Sequence, residues 1–212
     1  MSGLSDFQVE VTRLFFSLSS SEGFLLAGGG ALLAAGLTNR PTQDLDFFGA
    51  PDDVDVVATR DDFERAVRAR GWRCDRIQVT SNFARLRVSG TDEVVVDLAI
   101  DVPAGRPPFI TVVGPTFDLE ELAGRKLCAL FGRAEARDFT DVYQLARQFD
   151  VATLMARAAE IDLGFDPYVL ADMLRTIDRF SDDELPTDGV TPQELREYFR
   201  KWANDLDSTA GH

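Results

Sequence analysis

A mixed α/β fold, a small sheet with flanking helices followed by a helical C-terminal half, is what this 212-residue chain predicts, and three features of the sequence predict it. An apolar stretch from Phe24 to Ala27 runs into Gly28-Gly29-Gly30 and is followed by a strand-like alternation at Asp44-Leu45-Asp46-Phe47-Phe48. Three β-rich segments then come in succession between Arg73 and Asp101. From Leu119 onward the strand signal nearly vanishes and apolar residues recur at helical spacing. With 45% hydrophobic residues the chain can bury a substantial core as one domain with an appended subdomain. The expected division is an α/β core over 1–115 and a helical subdomain over 116–212.

Asp6 to Leu18 carries apolar residues at helical spacing and predicts an amphipathic helix. Phe24 to Ala27, apolar and closed by glycines, predicts a buried strand, and Ala31 to Leu37 a helix begun on glycine. Val54 to Ala58 reads as a short strand or strand edge. Asp61 and Asp62 then stand where an N-cap and a first-turn acid belong, ahead of a helix that runs to Arg70 and stops at Gly71. The β-rich segments are Arg73 to Thr80, Ala84 to Val88 and Glu93 to Asp101, with Ser89-Gly90-Thr91-Asp92 as a hairpin turn between the last two. Helical patterns cover Leu119 to Phe131, Arg137 to Phe149, Val151 to Asp162, Pro167 to Phe180 and Thr191 to Leu206, broken by X-Pro dipeptides. Thr191-Pro192 is a cap followed by proline at the first helical position. The polar tail from Asp207 to His212 is expected to fray.

Composition removes several function classes. The single histidine, His212, is the last residue of the sequence, so chemistries built on Ser-His-Asp, Cys-His or HExxH lack their base or ligand. What remains is carboxylate and metal chemistry with Lys or Arg as cationic partners. Cys74 and Cys128 lack CxxC spacing and read as reduced core thiols. No window approaches the length of a membrane span and the N-terminus has no cationic n-region, which predicts a cytoplasmic protein with no membrane partner. A net charge of -14 argues against whole-surface affinity for nucleic acid. The balance reverses locally: from Arg60 to Arg87 eight arginines face four acids. That strip is either a solvated mixed-charge face or a landing strip for RNA or a triphosphate, with Arg65, Arg68 and Arg85 as the RNA-contact candidates.

The candidate site starts at the glycines. Gly28, Gly29 and Gly30 would let phosphate oxygens approach unpaired backbone amides at the start of a helix. As a strand, Asp44-Leu45-Asp46 points both carboxylates to one face and buries Leu45 on the other, an arrangement that invites Mg2+. A lone Asp-x-Asp is commonly a solvated face; the glycine run ahead of it favours the functional reading. In EVVVDLAID, Asp97 interrupts an apolar run, and a carboxylate among buried valines is costly unless paired or metal-bound. It completes a possible carboxylate triad with Asp44 and Asp46. Lys126 is one of only two lysines beside twenty arginines, so it is either a snorkelling surface lysine or a compact ammonium set against phosphate. Arg137 and Asp141 stand at i,i+4, a spacing that allows a pair whose plain role is helix stabilisation.

Gly28-Gly29-Gly30, Arg40-x-Thr42-x-Asp44-Leu45-Asp46, Lys126 and Arg137-Asp138-x-x-Asp141, in this order between Ala27 and Leu145, make the chain resemble the AbiEii/AbiGii-type nucleotidyltransferase toxins. That group includes the mycobacterial MenT toxins and lies in the polymerase-beta-like nucleotidyltransferase superfamily. The resemblance implies a nucleotidyltransferase-type sheet whose active site the helical half completes. It also implies Mg2+-dependent transfer of a nucleotide from a nucleoside triphosphate to RNA, often the tRNA 3' end, blocking translation, and neutralisation by a cognate antitoxin. By position it implies that Asp44 and Asp46 bind metal, Lys126 engages the triphosphate, Arg40 flanks the phosphates and Asp141 is an essential acid. Where the superfamily favours Gly-Ser, Gly29-Gly30 offers no hydroxyl, which shifts phosphate grip to backbone, Lys126 and arginines. Thr42 falls on the face of Asp44 and Asp46 if the alternation extends back, and is either a strand-start hydroxyl or, as silencing in some relatives implies, a phosphorylation site.

Two rival folds fail on their motifs. Gly28-x-Gly30 is followed by Leu33 where a dinucleotide fingerprint needs glycine, and the G-K-[ST] of a P-loop is absent. Two rival functions stay open: a nucleotidyltransferase acting on a small molecule of aminoglycoside type, and a non-catalytic nucleotide-binding module.

Overall fold

The computed structural model describes residues 3–186 and 188–209. The chain divides into two compact units, one formed by the residues up to Gly36 with Pro41–Leu119, the other by Leu37–Arg40 with the residues from Glu120 onward. His212 and the end of the polar tail lie outside the described residues; Asp207 to Thr209 are still helical.

The first unit holds a seven-stranded mixed sheet. Its strands are β1 (Leu25–Ala27), β2 (Asp44–Gly49), β3 (Arg73–Val79), β4 (Phe83–Ser89), β5 (Glu93–Ile100), β6 (Phe109–Ile110) and β7 (Pro115–Thr116). They run in the order β3-β4-β5-β2-β1-β7-β6. The pairs β2–β5 and β1–β7 are parallel and the others antiparallel. Period-2 alternation sorts the two faces. Leu45, Phe47, Leu86, Val88, Val94, Val96 and Leu98 are buried on one. Helices α1 (Asp6–Phe16) and α3 (Val56–Ala69) cover that face: Phe15 stacks on Phe47 with ring centroids 3.9 Å apart and meets Phe63 edge-on at 5.6 Å. α1 starts at a capping box in which Ser5 Oγ accepts from the Gln8 amide and Gln8 Oε1 accepts from the Ser5 amide.

Four elements differ from expectation. Val54 to Ala58 is not a strand: the Asp55 carboxylate accepts from the Ala58 amide at 2.9 Å and starts α3 there. Asp61 and Asp62 therefore lie inside the helix. The cap, with Val56, Phe63 and Val67 buried at helical spacing, outweighs the weak β propensity of the valines. Helix α2 (Gly28–Ala34) contains the three glycines instead of following them. β6 and β7, two residues each, sit in a proline- and glycine-rich stretch too short to show alternation.

The second unit is helical: α4 (Leu119–Gly132), α5 (Ala136–Ala146), α6 (Val151–Ile161), α7 (Pro167–Arg175) and α8 (Pro192–Thr209). Leu127, Leu130, Phe139, Val142, Leu154, Leu170, Leu174, Leu195 and Phe199 form its core. Phe139 and Phe199 pack edge-on at 5.1 Å. α4 and α6 cross so closely that a Cβ on Gly124 would stand 2.5 Å from the Cβ of Arg157. α8 opens as expected, with the Thr191 hydroxyl accepting from the Glu194 amide. No helix among the described residues is long and apolar enough to cross a membrane.

Candidate active site

On the sheet face opposite α1 and α3, the strand register sets charged side chains in one row. Asp46 is the parallel partner of Asp97 on β5, and Asp97 is the antiparallel partner of Arg85 on β4. Asp44 lies two residues before Asp46 on the same face, both partly exposed beside the fully buried Leu45. Thr42 is not within the strand, yet its hydroxyl donates to Asp44 Oδ1 at 2.5 Å, and its carbonyl accepts from Gln8 Nε2 at 2.8 Å. The expected shared location of Thr42, Asp44 and Asp46 is thus produced by a side-chain bond instead of by strand alternation.

Gly28 joins this group through space. It has φ +59, and a Cβ there would fall 1.8 Å from Asp46 Oδ2. Only a glycine accepts both that backbone and that carboxylate. Gly28→Ala should therefore swing Asp46 aside: transfer activity is expected to fall at least tenfold, while left-handed strain on alanine removes only about 1–2 kcal/mol of stability. Initial rates measured beside a urea unfolding curve separate the two effects.

Asp97 is 4% exposed, and its two oxygens accept from Arg85 Nε at 2.9 Å and Nη2 at 2.6 Å. The hydrogen bonds it donates to Asp97, joined by the charges of Asp97, Asp44 and Asp46, hold the Arg85 guanidinium above its ordinary pKa despite desolvation. Among the described residues no trio of His, Cys, Asp or Glu converges as a metal site. Asp44 and Asp46 fit Mg2+ as a pair: both are hard oxygen donors on one face, and Mg2+ commonly takes one or two carboxylates and completes its shell with phosphate oxygens and water.

The second cluster lies wholly in the helical unit. Asp141 on α5 is fully buried. Its Oδ1 accepts from Arg40 Nε at 2.8 Å, and its Oδ2 from Arg40 Nη2 at 2.9 Å and Lys126 Nζ at 2.8 Å. Burial pushes the Asp141 carboxyl up, but the charge of Lys126 and the bonds and charge of Arg40 outweigh it and hold the pKa below the ordinary value. Arg40 and Lys126 thus converge on one carboxylate. The segment carrying Arg40 is pinned within the same unit: Thr38 Oγ1 and the Asn39 amide both donate to Asp188 Oδ2 at 3.0 Å. Lys126 is 8% exposed, so it is no snorkelling surface lysine. The Arg137 to Asp141 pair that helical spacing allows does not form: Arg40 and Lys126 occupy the carboxylate, and Arg137 pairs with Glu135. The compact motif Arg40-x-Thr42-x-Asp44-x-Asp46 is divided: Arg40 belongs to the helical unit, the rest to the sheet unit.

The arginine strip is not gathered into one surface. Arg65 pairs with Asp62, Arg68 with Glu64, Arg76 with Asp61 and Glu64, and Arg87 with Glu93. Arg65 and Arg68 ride on α3, behind the sheet from Asp44 and Asp46; of the three RNA-contact candidates only Arg85 shares the carboxylate face.

Residues 13–210 match the model of the nucleotidyl transferase AbiEii toxin of type IV toxin–antitoxin systems. The chain belongs to the AbiEii nucleotidyltransferase toxin family. The fold is similar to that of JHP933 from Helicobacter pylori, with TM-score 0.55 and 21% identity, covering 98% of this chain and 97% of that one. It is also similar to MenT4, a nucleotidyltransferase toxin from Mycobacterium tuberculosis H37Rv, with TM-score 0.58 and 16% identity, covering 95% and 89%. At these identities the likeness concerns the fold. No curated protein matches the sequence. Within this AbiEii chain, sequence reading had no place for the Arg85–Asp97 pair or for the Asp188 anchor. The first was within reach: the turn that pairs Ser89 with Glu93 sets Arg85 opposite Asp97 once residues are counted back along both strands.

Proposed function

We propose that this AbiEii-family enzyme transfers a nucleotide from a nucleoside triphosphate to an RNA acceptor, the 3' end of tRNA, and thereby blocks translation in the cytoplasm. The observation that carries the reading is the pair Asp44 and Asp46 on one sheet face, with Asp46 held against a glycine that no other residue could replace. Asp44 and Asp46 would hold Mg2+, which when bound supplies charge neutralisation for the transferring phosphoryl group. Gly28 to Gly30 offer backbone amides, and Arg40 and Lys126 the cationic groups that favour a triphosphate. In the transfer the acceptor 3' oxygen bonds to the α-phosphorus and the α–β bridging bond breaks. Pyrophosphate leaves with the electron pair, and the hydroxyl proton passes to water. Asp141, buried and bonded to both cations, acts as a positioning residue for Arg40 and Lys126.

MenT4, similar in fold, is a nucleotidyltransferase toxin, which supports the toxin reading of the acceptor. Incubation with each labelled nucleoside triphosphate, Mg2+ and total RNA, followed by sequencing of extended 3' ends, tests it. Label on tRNA ends is the expected result. Label on an aminoglycoside in a parallel incubation, and on no RNA, overturns the RNA acceptor, and absence of transfer to either overturns the enzyme reading.

The cognate antitoxin is proposed to act through Thr42. Its hydroxyl already touches Asp44, so a phosphate there would add roughly -1.5 to -2 charge beside the carboxylates and compete with the substrate for metal. Phospho-Thr42 protein is expected to be inactive, while Thr42→Ala stays active and escapes silencing. Mass spectrometry of protein coexpressed with its antitoxin checks this: full inhibition with Thr42 unmodified removes the idea.

A further inference from the structure

We infer that Arg85 is a triphosphate-binding residue of this enzyme, and that Asp97 serves as the anchor that aims it instead of as a metal ligand. The inference rests on the nucleotidyltransferase reading and assigns both residues differently from what their sequence context predicts, where Asp97 completes a metal triad and Arg85 touches RNA.

The geometry leaves Asp97 little capacity for metal. Its carboxylate is nearly buried, and both oxygens are engaged side-on by one guanidinium, the bidentate fork arrangement that fixes an arginine in orientation as well as in place. Phe83 holds the same guanidinium from another side, with the Arg85 Cζ 5.7 Å from its ring centroid. A buried carboxylate needs such a partner, since breaking a buried pair leaves an uncompensated charge. Arg85 is the exposed member, with 44% of its side chain open against 6% for Asp97. Nε and Nη2 bond Asp97, so the fork is held from behind and Nη1 faces no acceptor in the pair.

Position completes the argument. Asp97 is the immediate strand neighbour of Asp46, and Arg85 lies one strand beyond, about 10 Å across the sheet at ordinary strand spacing. An extended arginine side chain on the same face spans most of that gap. Asp44 and Asp46 place like charges where a polyanion must come; a fixed cation beside them lowers that repulsion before metal or substrate arrives. A guanidinium held rigid by a carboxylate loses little further freedom on binding phosphate oxygens.

A binding cycle tests this without turnover. Calorimetry with the α,β-methylene analogues of the four common nucleoside triphosphates is run on wild type, Arg85→Ala, Arg85→Lys, Asp97→Asn and the Arg85→Ala/Asp97→Asn double variant. Mg2+ alone is titrated in parallel. Arg85→Ala and Asp97→Asn are each expected to weaken analogue binding about tenfold, the double variant no more than either single one, with Arg85→Lys partly restored and no variant losing Mg2+ affinity. Weaker Mg2+ binding in Asp97→Asn with analogue binding intact overturns the inference and returns Asp97 to the metal. Wild-type analogue affinity in Arg85→Ala also overturns it. Failure of the wild-type protein to bind any analogue overturns the nucleotidyltransferase reading itself, and the inference with it.

Discussion

Asp46→Ala is expected to lower nucleotidyl transfer at least a thousandfold while the protein stays folded, and Asp44→Ala to do the same. A carboxylate holding metal at a transferring phosphoryl group supplies several kcal/mol of transition-state stabilisation, and each 1.36 kcal/mol is a factor of about ten in rate. Neither side chain belongs to the apolar core. Both are partly exposed, whereas Leu45 and Phe47 between and after them are fully buried and carry the packing of β2. With the buried residues of β2 unchanged, the thermal midpoint should stay close to that of the wild type. Initial rates with labelled nucleoside triphosphate and Mg2+, beside circular-dichroism melting, measure both quantities. Wild-type transfer in a folded Asp44→Ala/Asp46→Ala protein would end the assignment.

How much of this was legible in the sequence depends on the range over which each signal acts. Asp44-Leu45-Asp46 reads correctly because strand alternation is a local rule and its period of two sends both carboxylates to one face. The β4–β5 hairpin is equally local, and its turn fixes the register that sets Arg85 against Asp97. β6 and β7 are illegible because a two-residue strand has no period; β7 exists through its pairing with Leu26 and the bond from Thr116 Oγ1 to the Leu26 carbonyl at 2.7 Å. The start of α3 is hard to read because Val54, Val56 and Val57 favour strand by propensity, and the deciding group, the Asp55 cap, is a single side chain. The partner of Asp141 shows the harder limit. Arg137 is four residues away and looks like its mate, but Arg40, 101 residues distant, takes the carboxylate. Helical spacing ranks neighbours on one helix; it is silent on what the chain returns from far away.

That long-range contact yields the largest expected effect on stability. Asp141→Asn is expected to destabilise the protein by about 3–5 kcal/mol at pH 7, because Arg40 and Lys126, with side chains 11% and 10% exposed, lose the charge that compensates their burial. An amide offers one acceptor where three donors converge, so shape is kept while charge is lost. The pH dependence follows from the direction of the Asp141 shift. Its folded pKa lies below the ordinary carboxylate value of about 3.9, so its ionisation stabilises the fold fully above that value, and the contribution is lost as pH falls toward the folded pKa. The gap between wild type and Asp141→Asn should therefore be widest near neutrality and narrow below about pH 4, as protonation of the wild-type carboxylate comes to mimic the amide. Urea midpoints for both proteins across that range measure it. Replacing the lysine as well, as Lys126→Met/Asp141→Leu, should recover part of the loss, since apolar groups of similar size remove one buried charge along with its partner. Equal midpoints for wild type and Asp141→Asn at pH 7 would mean that the buried trio does not hold the helical unit together, and that Asp141 is kept for chemistry at Arg40 and Lys126 alone.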